Sequence, residues 1–153
     1  MYITAYDLAR RYLGVEEIPG EEHHPLILWW HSLTTLKATA DEVPWCSAFV
    51  NGIAWELDLP RTDSAAARSW LRVGKEIPLD EAKPGFDIVV FKRGGGGQPG
   101  PEVLDAPGHV AFYSQHDNFF VDVLGGNQGN KVSISSYERG RILGVRRLWG
   151  AAS

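Results

Sequence analysis

The sequence predicts an α+β fold, with the helices in the first half of the chain and the strands in the second. From residue 4 to about residue 74, apolar side chains recur at the three- and four-residue spacing of helices. From residue 86 onward, short apolar segments alternate with turns rich in glycine, proline, asparagine and aspartate. Helices followed by strands along a chain are typical of the α+β class.

The whole chain, residues 1–153, is predicted to form one domain. Its length lies in the usual range for a single domain, and neither an internal repeat nor a linker-like segment marks a second one. Hydrophobic residues make up 44% of the chain and charged residues 22%, the composition of a soluble globular protein.

Start and stop signals place four helices in the first half. Thr4 followed by Asp7 has the spacing of a capping box, and Gly14 suits the end of the first helix. Pro25 suits the first turn of the second helix, and Pro44 that of the third. The four predicted helices cover approximately residues 4–14, 25–33, 44–57 and 64–74.

Five strands are predicted in the second half, joined by short turn-rich segments as in an antiparallel meander. The glycine- and proline-rich residues 93–108, between the first two strands, predict a mobile surface loop. The four glycines at 94–97 lack the Lys-Ser/Thr pair and the helix that follow a phosphate-binding loop. The predicted strands are residues 86–92, 109–114, 118–125, 131–135 and 142–149.

Charge and hydropathy argue against several classes of partner. The formal net charge is −4 and no run of lysine and arginine exceeds two residues, which argues against nucleic acid and against an electrostatic membrane anchor. No segment approaches the roughly 20 apolar residues of a membrane span, and the N-terminal residues lack the pattern of a signal peptide. We therefore expect synthesis in the cytoplasm, with action on the cell wall or periplasm after release or delivery.

The single cysteine, Cys46 in the segment PWCSAF, has two interpretations. It lies in the first turn of the predicted third helix, where the partial positive charge of a helix N-terminus favours a thiolate. The unpaired N–H groups of that turn would also stabilise an oxyanion. Cys46 equally shares a helix face with Phe49 and Ile53, as a buried apolar filler would. Position alone leaves the nucleophile and the filler open.

A cysteine nucleophile needs a base, and His109 is the best placed of the five histidines. It begins a predicted strand directly after Pro107-Gly108, where a side chain can face a cleft. The other four suit a solvated loop, a packed helix face or a hairpin tip. They are His23, His24, His31 and His116.

The second ring nitrogen of a catalytic histidine needs an acceptor that orients the ring. Asn127, in the segment GGN, would lie at the end of a strand adjacent to that of His109. Asp122 on that strand and Asp41 upstream of the cysteine remain alternatives. A plain turn is the other interpretation of GGN, because asparagine and glycine dominate turns.

We expect neither a metal nor a cofactor, because one cysteine and scattered histidines do not have the spacing of zinc ligands. Trp45, Trp70 and Tyr113 are candidate substrate-binding walls of a cleft, since they lie near the candidate site in the sequence. Packing in the core is the alternative role for each of these three side chains.

A helix-borne cysteine, a strand-borne histidine and a polar residue on the next strand follow the chain order of papain-like folds. Within these folds, the sequence resembles the NlpC/P60 and CHAP group of cell-wall cysteine hydrolases, in a small branch common in bacterial and phage genomes. The matching segments cover nearly the whole chain in order: YLGVEEIPG, HPLILWW, DEVPWCSAFVNGIAWE, TDSAAARSWLRVGK, PGFDIVVFKR, GHVAFY, VLGGNQGNKVSI and ILGVRR.

The resemblance implies a papain-like fold in which N-terminal helices pack on an antiparallel sheet of about five strands. It also implies cleavage of amide bonds in peptidoglycan stem peptides, or of the bond that joins them to the sugar. The family's cysteine, histidine and third polar residue correspond to Cys46, His109 and Asn127. Two departures concern the third position: no second histidine lies near 120–127, and GGN stands where many CHAP members have EQN.

These observations lead to the hypothesis of a monomeric cysteine amidase or endopeptidase whose partner is peptidoglycan. A compact chain without a signal peptide suggests a phage endolysin, and a toxin delivered by another machine fits as well. Two other classes stay open. One is a non-catalytic peptidoglycan- or peptide-binding module of the same fold, and the other is a cysteine deamidase that acts on a different amide.

Overall fold

The computed structural model describes residues 3–20, 22–93 and 97–149, and it confirms the predicted α+β fold. Within these residues, three α-helices precede an antiparallel sheet of six strands. The helices are α1 (Ala5–Arg10), α2 (Pro25–Ser32) and α3 (Cys46–Glu56). The strands are β1 (Lys75–Ile77), β2 (Asp87–Lys92), β3 (Gly108–His116), β4 (Phe120–Gly125), β5 (Ser133–Glu138) and β6 (Ile142–Arg147). Short 3-10 helices cover Ala67–Arg72, Leu79–Glu81 and Arg139–Arg141.

The first two helices begin where their capping residues predict. The Asp7 N–H donates to the Thr4 hydroxyl and the Thr4 N–H donates to the Asp7 carboxylate, each over 3.1 Å, which completes the capping box. The helix is shorter than predicted and ends at Arg10, because the chain then turns towards Gly14 with its φ of +93°. Pro25 occupies the first turn of α2, as predicted.

Helix α3 is the central element of the molecule. Residues Cys46 to Ala54 are all buried, so the helix is covered on every side. Its polar residue Asn51 is accommodated because its side-chain oxygen accepts from the N–H groups of Thr62 and Asp63. The helix begins two residues later than predicted, so Pro44 lies before the N-cap Trp45. Cys46 is the first residue of the helix and lies in its first turn, as predicted.

The sheet has the strand order β1-β6-β2-β3-β4-β5. Strands β2 to β5 form the predicted meander, whereas β6 returns to pair with β2 on its other side. The predicted helix over 64–74 is wrong in type and length: residues 67–72 form a 3-10 helix, and Gly74 with φ +73° leads into the unpredicted strand β1. Three residues are too few to show a strand period, and β1 is defined by its pairing with β6.

Two apolar clusters pack against the sheet. The larger one surrounds α3 and includes Trp30, Trp45, Phe49 and Trp70 from the helical half of the chain. The smaller one is built by strand residues that alternate with the first set: Ile77, Val89, Phe91, Ala111, Tyr113, Val121, Val123 and Val145. In the described part of the chain, none of the helices has both the length and the hydrophobicity that crossing a bilayer requires.

The predicted surface loop at 93–108 is described at residue 93 and from residue 97 onward, and there it forms neither helix nor strand until β3 begins at Gly108. Residues 94–96, which make up most of the four-glycine run, lie outside the described residues. The buried Arg68 fixes the later part of this loop. Its guanidinium donates to the carbonyl oxygens of Pro107 (2.9 Å), Gly100 (2.8 Å) and Val103 (3.0 Å).

Candidate active site

The structure brings Cys46 and His109 together. Cys46 is the first residue of α3 and is 3% exposed, while His109 is the second residue of β3 and is 6% exposed. The His109 ring lies close enough to Cys46 for its charge and its hydrogen-bonding capacity to lower the pKa of the thiol, and the backbone N–H of Val110 acts in the same direction. The start of a helix and the start of a strand therefore place a thiol against an imidazole.

The surroundings of Cys46 favour its thiolate. Burial by itself raises the pKa of the thiol, because removal from water penalises the charged form. The charge of His109 and its hydrogen bond, the Val110 N–H and the charge of Arg93 act in the opposite direction, and their sum holds the pKa below its ordinary value. A lowered pKa increases the fraction of the nucleophilic form near neutral pH.

Gln128 orients the ring of His109. Its Nε2 donates to the carbonyl oxygens of Ser133 (2.7 Å) and Val123 (3.3 Å). Its Oε1 therefore faces the ring and lies 2.8 Å from His109 Nε2. Because an amide oxygen only accepts, the proton of the neutral ring resides on Nε2, which leaves Nδ1 free to accept the proton of the Cys46 thiol.

The hydrogen bond predicted for Asn127 is thus made by Gln128, the next residue. Asn127 adopts a φ of +58°, in the left-handed region that asparagine tolerates in turns. Within the part of the chain that the structure describes, the hydrogen bonds of His109 Nε2 go to Gln128 and, at 3.5 Å, to the hydroxyl of Tyr137. Gln128 directly follows the segment GGN, so the sequence places a second polar side chain at this turn. The alternation of side chains along a strand does not predict which residue of a tight turn faces the sheet.

The two alternative orienters are engaged elsewhere. Asp122 accepts hydrogen bonds from Gln115 Nε2, over 2.7 Å, and from the Ser136 hydroxyl. Asp41 is buried and accepts from the backbone N–H groups of Ile18 (2.8 Å) and His24 (2.9 Å). Both carboxylates therefore organise neighbouring backbone or side chains rather than the His109 ring.

One group of side chains could hold a metal ion. The ligand atoms of His23, Asp41 and Glu42 lie within 4.8 Å of one another. His23 Nδ1 is 3.2 Å from Asp41 and 3.7 Å from Glu42. No local motif marks this group in the sequence, because His23 lies 18 positions before Asp41 in the chain.

The two glycines before Asn127 are needed for close packing. A Cβ atom at Gly125 would lie 2.8 Å from Gln128 Oε1, and one at Gly126 would lie 2.7 Å from the Trp45 ring and 2.8 Å from the Cβ of Phe49. Distances this short force a rearrangement of the neighbours. The glycines therefore let the turn approach α3 and let the Gln128 amide reach His109.

A cleft of about 270 Å³ opens at the thiol. Small and apolar residues form most of its wall, with one cation and one anion among them. The lining residues are Pro44, Cys46, Ala65, Ala66, Ala67, Arg93, Asp105, Ala106, Pro107 and Gly108. Since the Arg68 guanidinium holds Pro107 in place, this buried cation supports the wall of the cleft from behind.

The three aromatic residues predicted as cleft walls lie in the core instead. Trp45 and Trp70 are fully buried in the cluster around α3, where their indole N–H groups donate to Glu17 and Ser47 respectively. Tyr113 belongs to the cluster of strand residues. Proximity in sequence to Cys46 or His109 was an insufficient guide, because the strand and helix periods turn these side chains away from the cleft.

Aromatic rings of residues that were not predicted to belong to the site lie beside the His109 ring. The ring centroids of Tyr137 and Phe91 lie 5.2 Å and 6.2 Å from that of His109. Burial raises the pKa of Tyr137, so its hydroxyl stays neutral over the physiological range. Tyr137 is on β5, two strands away from β3, and only sheet pairing brings it to the site.

The roles of Gln128 and Asn127 can be distinguished by substitution. Gln128→Ala is expected to lower kcat on the cleaved substrate by about 10- to 100-fold, since one buried hydrogen bond is lost and the ring Nε2 loses its main acceptor. Asn127→Ala is the matched control and is expected to keep a kcat close to that of the wild type. Steady-state kinetics of both variants measure this, and the reverse ranking would contradict the assignment of Gln128.

A thiol at a helix N-terminus, an imidazole at the start of a strand and an amide behind it, set between helices and an antiparallel sheet, define a protein of papain-like fold. No protein-family model matches the sequence, and no curated protein matches it. Among solved structures, the fold is similar to that of NlpC1 from Trichomonas vaginalis, with a TM-score of 0.57 and 20% sequence identity over 95% of this chain. The chain spans 43% of the length of the NlpC1 chain.

Proposed function

We propose that the protein is a cysteine hydrolase that cleaves amide bonds in the stem peptides of peptidoglycan. The observation that supports this most directly is the proximity of His109, whose ring is hydrogen-bonded to Gln128, to Cys46, which lines a cleft. The similarity of the fold to an NlpC protein and the sequence resemblance to cell-wall hydrolases support peptidoglycan as the substrate class.

In the first half of the proposed reaction, His109 Nδ1 accepts the proton of the Cys46 thiol. The thiolate attacks the carbonyl carbon, so that the C–S bond forms and the carbonyl electrons move onto oxygen. Backbone N–H groups at the start of α3 stabilise this oxyanion, since among the described residues no side chain caps that helix. The C–N bond then breaks, and the protonated His109 gives its proton to the departing amine.

In the second half, water hydrolyses the thioester that has formed on Cys46. His109 takes a proton from the water, the new hydroxide bonds to the acyl carbon and the C–S bond breaks. The acid product leaves, and the proton returns to the thiol. Throughout both halves Gln128 keeps the Nε2 atom of His109 bonded, which maintains the ring in the orientation that the thiol needs.

The walls of the cleft favour short side chains on either side of the scissile bond. Ala65, Ala66 and Ala67 on one segment and Ala106 on another carry only a methyl group each. A peptide rich in alanine, such as a peptidoglycan stem, fits a cleft of this kind. The setting of a phage endolysin or of a delivered toxin remains a prediction of the sequence analysis, and the neighbouring genes would distinguish the two.

The experiment is incubation of the protein with purified peptidoglycan and with soluble muropeptides, followed by mass spectrometry of the products. We expect a mass change of one water at a single class of amide bond, together with loss of turbidity of exposed cell walls. Cys46→Ala is expected to abolish both signals, because no other thiol exists in the chain. Product formation by Cys46→Ala would contradict the mechanism.

The same experiment separates the alternatives. Intact muropeptides that nevertheless bind the wild-type protein would identify a non-catalytic module of this fold. Release of ammonia without cleavage of the peptide chain would identify a deamidase. Either result would replace the proposed hydrolase.

A further inference from the structure

Arg93 is a cation in the cleft that the proposed reaction leaves without a role. It directly follows β2, and its side chain lines the same cleft as the Cys46 thiol. Within residues 3–20, 22–93 and 97–149, it makes neither an ion pair nor a hydrogen bond with another side chain or carbonyl group. Its guanidinium is therefore available to a ligand in the cleft.

Other arginines of the sheet region are held by the protein. Arg147 makes a two-pronged contact with Asp87, over 2.8 Å and 2.9 Å, and Arg146 donates to the carbonyl oxygens of Val73 and Gly74. Arg68 is bonded to three carbonyl groups behind the cleft wall. Arg93 differs from them in that it is exposed and unengaged among the described residues.

The charge of Arg93 acts at the reacting sulfur. Burial has the largest effect on the pKa of Cys46 and raises it. His109 and the Val110 N–H lower this pKa, and the charge of Arg93 lowers it by a smaller amount. Arg93 and Cys46 line the same cleft of about 270 Å³. A group bound to Arg93 would thus lie next to the bond under attack.

A guanidinium has a planar fork of donors that matches a carboxylate. The other lining residues of the cleft are mainly apolar, and the charge of Asp105 is negative. Arg93 is therefore the lining residue that is suited to bind an anion. Resting on the proposed function, we propose that Arg93 binds a free carboxylate on the substrate beside the scissile carbonyl, so that the enzyme prefers acidic peptide amides. Arg93 is then a specificity-determining residue.

A pair of small alkylating reagents tests anion binding beside the sulfur without any peptide. Iodoacetate and iodoacetamide both transfer a two-carbon group to the thiolate, with formation of the S–C bond and departure of iodide, and they differ in that only iodoacetate carries a carboxylate. The iodoacetamide rate reports the thiolate fraction. The ratio of the two rate constants therefore isolates attraction of the carboxylate from any change in the pKa of Cys46.

We expect Arg93→Gln to lower the ratio of the iodoacetate to the iodoacetamide rate constant by about three- to tenfold. Arg93→Lys is expected to give a ratio between those of the wild type and Arg93→Gln, because the positive charge remains while the planar fork of donors is lost. Lys92→Gln is the matched control: it removes the same charge one residue away, on a side chain that is not among the lining residues of the cleft. An equal fall in Arg93→Gln and Lys92→Gln, or no fall in Arg93→Gln, would overturn the proposal.

A pair of peptide substrates then tests the preference itself. The two differ only in a free carboxylate or a primary carboxamide beside the scissile bond. The wild type is expected to have a kcat/KM about tenfold higher for the acid, and Arg93→Gln is expected to lose this preference. A preference that survives in Arg93→Gln would overturn the assignment. If neither peptide is cleaved, the proposed hydrolase fails, and the alkylation ratio still decides whether Arg93 binds the carboxylate.

Discussion

His109→Ala is expected to lower the rate of hydrolysis by about a hundred- to ten-thousandfold, the range for loss of a general acid and base. The same change acts on the thiol. Burial, which raises the pKa of Cys46, is then opposed only by the Val110 N–H and the charge of Arg93, because the two contributions of His109 are gone. The pKa of the thiol is therefore expected to rise, and the fraction of thiolate at neutral pH to fall.

The measurement is the pH dependence of Cys46 alkylation by iodoacetamide, which follows the thiolate without requiring a substrate. The inflection of the rate is expected at a higher pH in His109→Ala than in the wild type. His116→Ala is the matched control, since His116 ends the same strand, where its Nδ1 lies 2.6 Å from the Tyr113 hydroxyl. An inflection that stays unchanged in His109→Ala would show that the imidazole does not act on the sulfur.

Asp41→Ala is expected to lower the free energy of unfolding by about 3 kcal/mol, because a buried carboxylate that accepts two backbone hydrogen bonds is lost. The side chain of Asp41 is 1% exposed, and its bonds hold the N–H groups of Ile18 and His24. The adjacent Glu42→Ala is the control. Its side chain is 65% exposed, so the change is expected to alter the stability by less than about 0.5 kcal/mol.

The contribution of Asp41 also has a defined pH dependence. Burial raises the pKa of its carboxyl, but the hydrogen bonds from Ile18, His24 and His23 together lower this pKa by more than burial raises it. The resulting pKa lies below the ordinary value of 3.8. The stabilisation is therefore fully present above the unfolded-state pKa and is lost as the pH falls through the lower folded-state pKa. Urea unfolding at neutral pH and near pH 3 measures this. If the free energy of unfolding had the same pH dependence in the wild type and in Asp41→Asn, the result would contradict this prediction.

Much of the fold follows from local signals. The capping box of Thr4 and Asp7, the proline at the start of α2 and the apolar face of α3 each depend on residues within a few positions of one another. Such signals predict an element without knowledge of its neighbours. They do not predict β1, which is defined by its pairing with β6, or the 3-10 helix at residues 67–72, from which Arg68 reaches the carbonyl group of the distant Pro107.

In the candidate site too, some features were predictable from the sequence and others depend on the tertiary structure. The residue types and their order were sufficient to single out Cys46 and His109 as candidates, and the structure brings the two near enough for His109 to lower the pKa of the thiol. The acceptor was predicted one residue too early, since the left-handed turn at Asn127 presents the side chain of Gln128 to the ring. Trp45 and Trp70 pack in the core although they stand beside or near the site in the sequence.

The sequence by itself determined the class of fold and the approximate helices and strands, and it singled out Cys46 and His109 as candidates, because these depend on residue chemistry and short-range periodicity. Only the tertiary structure decided that Gln128 is the partner of His109, that Arg93 lines the cleft and that small residues form its walls. These features depend on the direction in which each side chain leaves the backbone. That direction is set by turns, by strand pairing and by packing against distant segments, which the spacing of residues along the chain does not contain.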